Sequence, residues 1–408
     1  MLWIIGPVFT DFHDYLVSQG IPYGVFHMAE KPPRQPAQRS IPLSMSSMEQ
    51  LETELAALPA DLAVSAILVA GYEQYVVPAA VIAEHFGVPG PSITSARAAT
   101  DKLLMREAFQ AASPSITPPF KRVENWEDVE SFVKHHGLPV VLKPANLMKS
   151  LFVTKNFSIE ELETNYREIV SALPAHYAAL PGSLQPEIII ESFLEGSMHT
   201  VAGCVEADGS IQLVPHIVDC LPAPGEHQQD SYLYSRQLPT RLSAKDQTSI
   251  LEVARQGAQA LKLRATSLHI ELILTSQGPK LIEIGARIGG YRARMYELGC
   301  RLNLYQAAID IAEGRPSQLP SGGKASCIAV LELFPDRDGQ FQGLDHEHEL
   351  RQLPSFHYLS MKRQLGEAVG MARHGYRAVA VVMLKHSDAE QFQTDFAEVA
   401  DLVRVRVT

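Results

Sequence analysis

The sequence predicts an α/β and α+β multidomain protein from three observations: its length, an opening run of alternating strands and helices, and a later change to strand-rich hairpins. At 408 residues the chain is too long for one small domain. In the first ninety or so residues, Leu2–Ile5, Tyr23–His27 and Ala66–Ala70 read as buried strands. Thr10–Gln19 and the stretch after Gly71 through about His85 read as helices, and Val88-Pro89-Gly90-Pro91 closes the unit. Such alternation implies a parallel sheet with helices on its faces. Gly71-Tyr72-Glu73 follows the third strand, where open parallel sheets place ligand contacts; an ordinary strand-to-helix turn is the alternative. No GxGxxG follows the first strand, which argues against a nicotinamide site.

Beyond this unit, Ser95–Ala112 reads as a helix ended by Pro114, Pro118 and Pro119. Glu127–His136 (helix), Pro139–Lys143 (strand), Ser158–Leu173 (helix) and Glu187–Glu191 (strand) come next. From Thr200 the pattern is strand-rich, with Asp208-Gly209 as a hairpin turn and the polar, proline-bearing Pro222–Pro239 as an interruption. Ser243–Leu261 is an amphipathic helix with a serine cap. Ser267–Leu274 and Lys280–Ile284 form a hairpin through Ser276-Gln277-Gly278. After a Pro316–Gly323 linker, the strands Ala325–Phe334 and Arg377–Leu384 suggest a small terminal α+β unit. The expected units are residues 1–95, 96–195, 196–318 and 319–408.

A net charge of −11 argues against a general nucleic-acid or anionic-membrane binder. No apolar run is long enough to span a bilayer, and Met1–Gly6 suits a first strand better than a signal segment. Cys204, Cys220, Cys300 and Cys327 lack CxxC spacing, which fits small core residues in a reducing cytoplasm.

Four separated segments carry the chemistry: Asp101-Lys102 at a helix start, the strand Val140–Pro144 with Lys143, the run Ile189–Gly196, and the hairpin from His269 through Gly290. Two lysines on different elements can neutralise a triphosphate. Glu271 and Glu283, on adjacent antiparallel strands, can meet on one face, where a divalent metal would relieve their repulsion and bridge to phosphate. Arg287 follows closely and can stabilise charge developing on a transferred group. Singly, each residue has an ordinary reading, as a solvated lysine, an outward strand carboxylate or a glycine turn.

In this order the four segments resemble the ATP-grasp superfamily, in which ATP lies between two α+β subdomains. The resemblance implies an ATP-grasp fold with an N-terminal Rossmann-like (pre-ATP-grasp) unit at 1–95, a small subdomain with linker helix at 96–195, a large metal-bearing subdomain at 196–318 and a C-terminal subdomain at 319–408. It implies ATP held by Lys102, Lys143, Lys149, Ser150, Glu191 and Leu194, the last two at the adenine edge. Mg²⁺ (or Mn²⁺) would be held by Glu271 and Glu283. The stretch Leu281–Arg287 with its following glycines is similar to the L-amino acid ligase branch, where the arginine matching Arg287 assists at the acyl-phosphate or tetrahedral stage. A cytoplasmic, ADP-forming carboxylate–amine ligase acting on amino acids is thereby implied, with a homodimer expected by resemblance alone. A carboxylase using carboxyphosphate, or a nucleotide-binding protein without turnover, are the alternatives.

The chain departs from the superfamily pattern at three places. The phosphate loop Asn146–Val153 has no glycine, leaving the charge of Lys149 or a stiffer apolar lid as substitutes. Gly285 stands where many relatives have a metal-binding asparagine, and Met198 stands where a ribose-binding glutamate is common. For substrates, Gln228 and Asp230 in the polar run Gly225–Tyr232 are expected to close over an acceptor amine, unless that run is a solvated loop. Tyr291, Arg292 and Arg294 are expected to grip a substrate carboxylate, or else to pair with nearby acids.

Overall fold

The computed structural model describes residues 1–147, 151–178, 186–222, 233–319, 325–372 and 376–408. Its first sheet holds β1 (Leu2–Ile5), β2 (Tyr23–His27), β3 (Arg39–Pro42) and β4 (Ala66–Val69) in the order β3-β2-β1-β4. Every pairing in it is parallel. Helices α1 (Thr10–Ser18), α2 (Met48–Ala56) and α3 (Val76–Phe86) connect or flank these strands. Buried strands such as Leu2–Ile5 need covering on both faces, which the alternating helices supply.

The helix expected over Ser95–Ala112 is two helices, α4 (Ile93–Ala98) and α5 (Lys102–Ala112). Asp101 makes the break. Its side chain accepts from the N–H groups of Leu103 and Leu104, capping α5 and fixing Lys102 at the first helical position.

The second sheet is antiparallel, in the order β5 (Phe120–Val123), β8 (Ile188–Ser192), β6 (Val140–Pro144), β7 (Thr154–Asn156). One face packs on α6 (Trp126–His136) and α7 (Ile159–Ala178) through Val140, Leu142 and Ile190. Because side chains alternate, Lys143 and Glu191 fall on the other face, toward α5.

The third sheet is the largest. Its order is β14 (Gly278–Gly285), β13 (Thr266–Thr275), β9 (Ser197–Val205), β11 (Val218–Pro222), β12 (Leu233–Leu238), β15 (Cys327–Leu333), β19 (Ala380–His386), β17 (Phe356–Met361), with β10 (Ile211–Leu213) paired to β9. The expected interruption at Pro222–Pro239 is therefore partly strand, since β12 occupies its second half. The strands of the terminal unit hydrogen-bond onto this sheet through β12 and β15, and carry their own core under α11 (Ala389–Leu402). A small three-stranded sheet, β16 (Gly339–Leu344) between β18 (Ala368–Val369) and β20 (Val405–Val407), completes that unit.

Two cores fix how the sheets meet. Leu2, Ile4 and Phe12 of the first unit share one cluster with Ala202, Val218 and Val330 of the large sheet, through α9 (Arg292–Cys300) and α10 (Leu304–Ala312). On the opposite face, Ile270, Leu272 and Ile284 pack with α8 (Ala244–Ala260), α5 and α3. The first unit and α5 are thereby both packed against the β13–β14 hairpin. Among the described residues no helix is long and apolar enough to cross a membrane.

Candidate active site

On the second sheet the site begins with a buried ionic cluster. Glu191 Oε1 accepts from Arg106 Nε at 2.8 Å, and its Oε2 accepts from Arg106 at 3.2 Å and from Lys143 Nζ at 2.7 Å. Glu191 is 4% exposed, so among the described residues its charge is compensated by these partners. Burial alone would raise its carboxyl; Arg106 and then Lys143 outweigh burial and hold it at about 2. Burial pushes Lys143 the other way, down to about 8. The Glu191 carboxylate, expected at the adenine edge, is thus committed to two cations, and any adenine contact from this stretch falls to backbone groups. Leu194 lies between β8 and β9, next to Phe193, whose N–H donates to Pro139 and whose ring lies 5.7 Å from Lys155 Nζ. Met198 is half-buried on β9.

Sequence reasoning missed Arg106. Its signal was available, because a charged residue four positions after Lys102 lies on the same helix face, here the buried one.

Lys102 joins the two sheets. Its Nζ donates to the Leu147 carbonyl at 2.7 Å and lies 3.7 Å from Glu283 Oε2. Glu283 stands directly across the ladder from Glu271, as the hairpin reading expects, with a bulge just after Glu271. The two carboxylates keep 26% and 28% of their side-chain surface open, enough to receive an ion from solvent. Burial raises the Glu283 carboxyl; Lys102 opposes that, while Glu271 and Glu73 reinforce it. Burial also acts to raise Glu271, but the His269 hydrogen bond at 3.1 Å, with Arg287 and Arg292, lowers it. One proton-hungry carboxylate beside an ionised one is the state a divalent cation relieves. Among the described residues no group of three or more His, Cys, Asp or Glu is placed to hold a metal ion. That donor set fits Mg²⁺, which takes one or two carboxylates and fills its remaining positions with phosphate and water oxygens.

His269 was also missed as a separate contributor. Among the described residues its buried Nδ1 has no hydrogen-bond partner, and its ring lies so close to Gly289 that a Cβ there would sit 2.4 Å from Nδ1. Gly289 is therefore more than a turn: its lack of a side chain lets the loop close over β13 at His269.

Arg287 points at the first unit, where Glu73 Oε1 accepts from its Nε at 2.6 Å. The carboxylate of Gly71-Tyr72-Glu73 thus reaches the site, although its partner is protein. Arg292, expected to grip a substrate carboxylate, is 3% exposed. Its Nε donates to Thr200 Oγ1 at 2.9 Å and its terminal nitrogens approach the Gly290 carbonyl and Cys220 Sγ, so here it braces the loop against β9 and β11. Tyr291 donates to Glu332 Oε1 at 3.1 Å, and Arg236 pairs with the same carboxylate. Arg294 makes an exposed pair with Glu297, the structural alternative of the sequence reading. Lys149, Ser150, Gln228 and Asp230 lie outside the described residues.

Residues 136–294 match the ATP-grasp domain, and residues 332–408 match the L-amino acid ligase C-terminal domain 2. The chain is similar to the alanine–anticapsin ligase of Bacillus subtilis (strain 168), 25% identical over 279 residues that cover 64% of this chain and 58% of that one. It is also similar to the L-arginine-specific L-amino acid ligase of Bacillus subtilis, 24% identical over 317 residues covering 74% and 70%. The chain therefore spans less than two thirds of the length of the first relative. Among solved structures, the L-amino acid ligase of Bacillus licheniformis superimposes with a TM-score of 0.82 at 17% identity, over 100% of this chain and 98% of that one. The fold is that of the ATP-grasp proteins.

Proposed function

We propose that this chain, which belongs to the ATP-grasp superfamily and ends in an L-amino acid ligase C-terminal domain, is an ATP-dependent carboxylate–amine ligase acting on amino acids. The observation that carries the reading is Lys102: it touches Leu147, just past β6 of the second sheet, and Glu283 of the Glu271–Glu283 pair on the third, so it lies where a triphosphate between the two would sit. Lys143, and Lys149 with Ser150 on the phosphate loop, complete the phosphate-binding set in this reading. Leu194 takes the adenine edge.

In the reaction, a donor carboxylate oxygen bonds to the γ-phosphorus as the β–γ bridge breaks, giving an acyl phosphate and ADP. An amine nitrogen then bonds to the acyl carbon, loses a proton, and expels phosphate. A divalent ion on Glu271 and Glu283 would neutralise phosphate charge and align its oxygens. Lys102 and Lys143 hold the polyphosphate, and Arg287 stabilises the charge of the transferred group or the tetrahedral adduct. Tyr291, Arg292, Gln228 and Asp230 remain the proposed substrate set, with Arg292 acting through the Gly289–Gly290 loop that it braces. The lack of a disulfide among the described residues and the need for ATP suit the cytoplasm.

Phosphate release from ATP and Mg²⁺, measured against amino acids singly and in pairs, tests the reading. Turnover that needs two amino acids, with a condensed product by mass spectrometry, is the expected result. Turnover that needs bicarbonate and no amine would replace it with a carboxylase.

A further inference from the structure

The ion pair between Arg287 and Glu73 joins residues far apart in sequence, one on the loop after the metal-site strand and one at the end of the first parallel sheet. The guanidinium is spent in one direction. Its Nε donates to Glu73 Oε1 at 2.6 Å, one terminal nitrogen donates to the same oxygen, and the other donates to the Ile288 carbonyl at 3.0 Å. Each terminal nitrogen keeps one N–H without a described partner. Both side chains are mostly enclosed, at 13% and 16% exposure, so the pair is better defined than a surface salt bridge.

The room for it comes from position 285. A Cβ on Gly285 would lie 3.3 Å from Glu73 Oε1 and 3.6 Å from Arg287 Cγ, so any larger side chain there would meet the pair. Gly285 is therefore the gap through which a carboxylate of the first unit reaches the third sheet. Simple glue between units does not need this arrangement, because the apolar cluster of Leu2, Ile4 and Phe12 with Ala202 and Val218 already joins them.

We propose that Glu73 is a positioning residue for Arg287: the first unit fixes the direction of the guanidinium, so that its remaining N–H groups meet the charge that develops during acyl transfer. This rests on the ligase reading above and on the role it gives Arg287. A preset arginine needs no reorganisation as charge appears, which is where such donors act most strongly. The carboxylate does its work as an acceptor, so an uncharged acceptor of the same shape should retain much of the effect.

The test compares Glu73→Ala, Glu73→Gln, Arg287→Ala and the double variant Glu73→Ala/Arg287→Ala. Glu73→Ala is expected to lower kcat about tenfold to hundredfold, the range for a misplaced catalytic group, with ADP affinity and KM for ATP unchanged. Glu73→Gln is expected to restore most of the loss. The double variant should be no slower than Arg287→Ala, because Glu73 acts only through that arginine. Wild-type kcat in Glu73→Ala, or losses that multiply in the double variant, would overturn the proposal. So would a parallel fall in ADP affinity and melting temperature, which marks a merely structural contact. If the wild type itself shows no turnover, the ligase reading fails and a second readout still decides the positioning. The Arg287 Nε–H resonance should exchange slowly with water in the wild type and Glu73→Gln, and rapidly in Glu73→Ala. A resonance equally protected in Glu73→Ala would sink the idea without any assay of activity.

Discussion

The two clusters of charge that face one another in this site are built on opposite principles. Around Glu191 a carboxylate is sealed at 4% exposure between Arg106 and Lys143, one buried anion held by two buried cations. Around Glu283 two carboxylates stand side by side, each about a quarter exposed, with Lys102 at 3.7 Å and Glu73 adding further negative potential. In the first cluster the carboxylate already has its cations from the protein; in the second, a bound cation would supply what the protein does not. A buried ion pair adds little net stability, but removing one member is costly because the other stays behind. A carboxylate pair left open to solvent carries the reverse signature, a strain that an arriving cation releases. The difference separates side chains that build the site from side chains that wait for its contents.

Removing Glu191 should have the largest effect. Glu191→Ala leaves Arg106 and Lys143 buried without a partner, and a loss of about 3–5 kcal/mol in chemical denaturation is expected. The wild-type contribution also has a defined pH window. The Glu191 carboxyl lies at about 2 in the folded chain against an ordinary 4.5, so its stabilisation is present above 4.5 and fades as pH falls toward 2. The acid-unfolding curve of Glu191→Gln should lack that component.

Glu283→Gln should behave in the opposite sense and by less. Its carboxyl is raised in the folded state, so ionised Glu283 disfavours folding at neutral pH when no metal is bound. Metal-free stability should therefore rise, by about 1 kcal/mol, while the extra melting temperature conferred by Mg²⁺ with ADP disappears. A Glu283→Gln protein as unstable as Glu191→Ala would erase the contrast between the two clusters.

What could be read from the sequence depended on how far apart the interacting residues lie. Glu271 and Glu283 were legible because a short turn joins two alternating strands, and register then puts the carboxylates opposite. Lys102 was legible at a helix start, yet the apolar periodicity of Ser95–Ala112 hid the break that Asp101 makes. Leu233–Leu238 was hidden as a strand by the prolines and polar residues that surround it. The hydrogen-bond partners were the least legible. Nothing in the local pattern of Gly71-Tyr72-Glu73 says that its carboxylate will meet Arg287, because that contact is set by how two sheets dock. Arg106 had a local signal, but its meaning depended on Glu191, a residue on a strand of another element.

The third expected effect is on binding and concerns Lys143, the member of the closed cluster that the nucleotide would touch. Burial holds its folded value near 8, below the ordinary 10.5. The sign follows: below about 8 both folded and unfolded chains carry the proton, and between about 8 and 10.5 only the unfolded chain does. Stability should therefore rise with pH across that window. Nucleotide affinity should move the other way if Lys143 meets the phosphates as proposed, since its ammonium is lost as pH passes 8. Isothermal titration with ADP from pH 7 to 9 should show affinity falling by up to about tenfold, the scale of one charge-assisted hydrogen bond. Lys143→Gln should bind more weakly at pH 7 and show a flatter profile. If that variant kept the wild-type slope, Lys143 would be a structural cation like Arg106. Phosphate binding would then rest on Lys102 and the loop, and the closed cluster would be scaffold throughout.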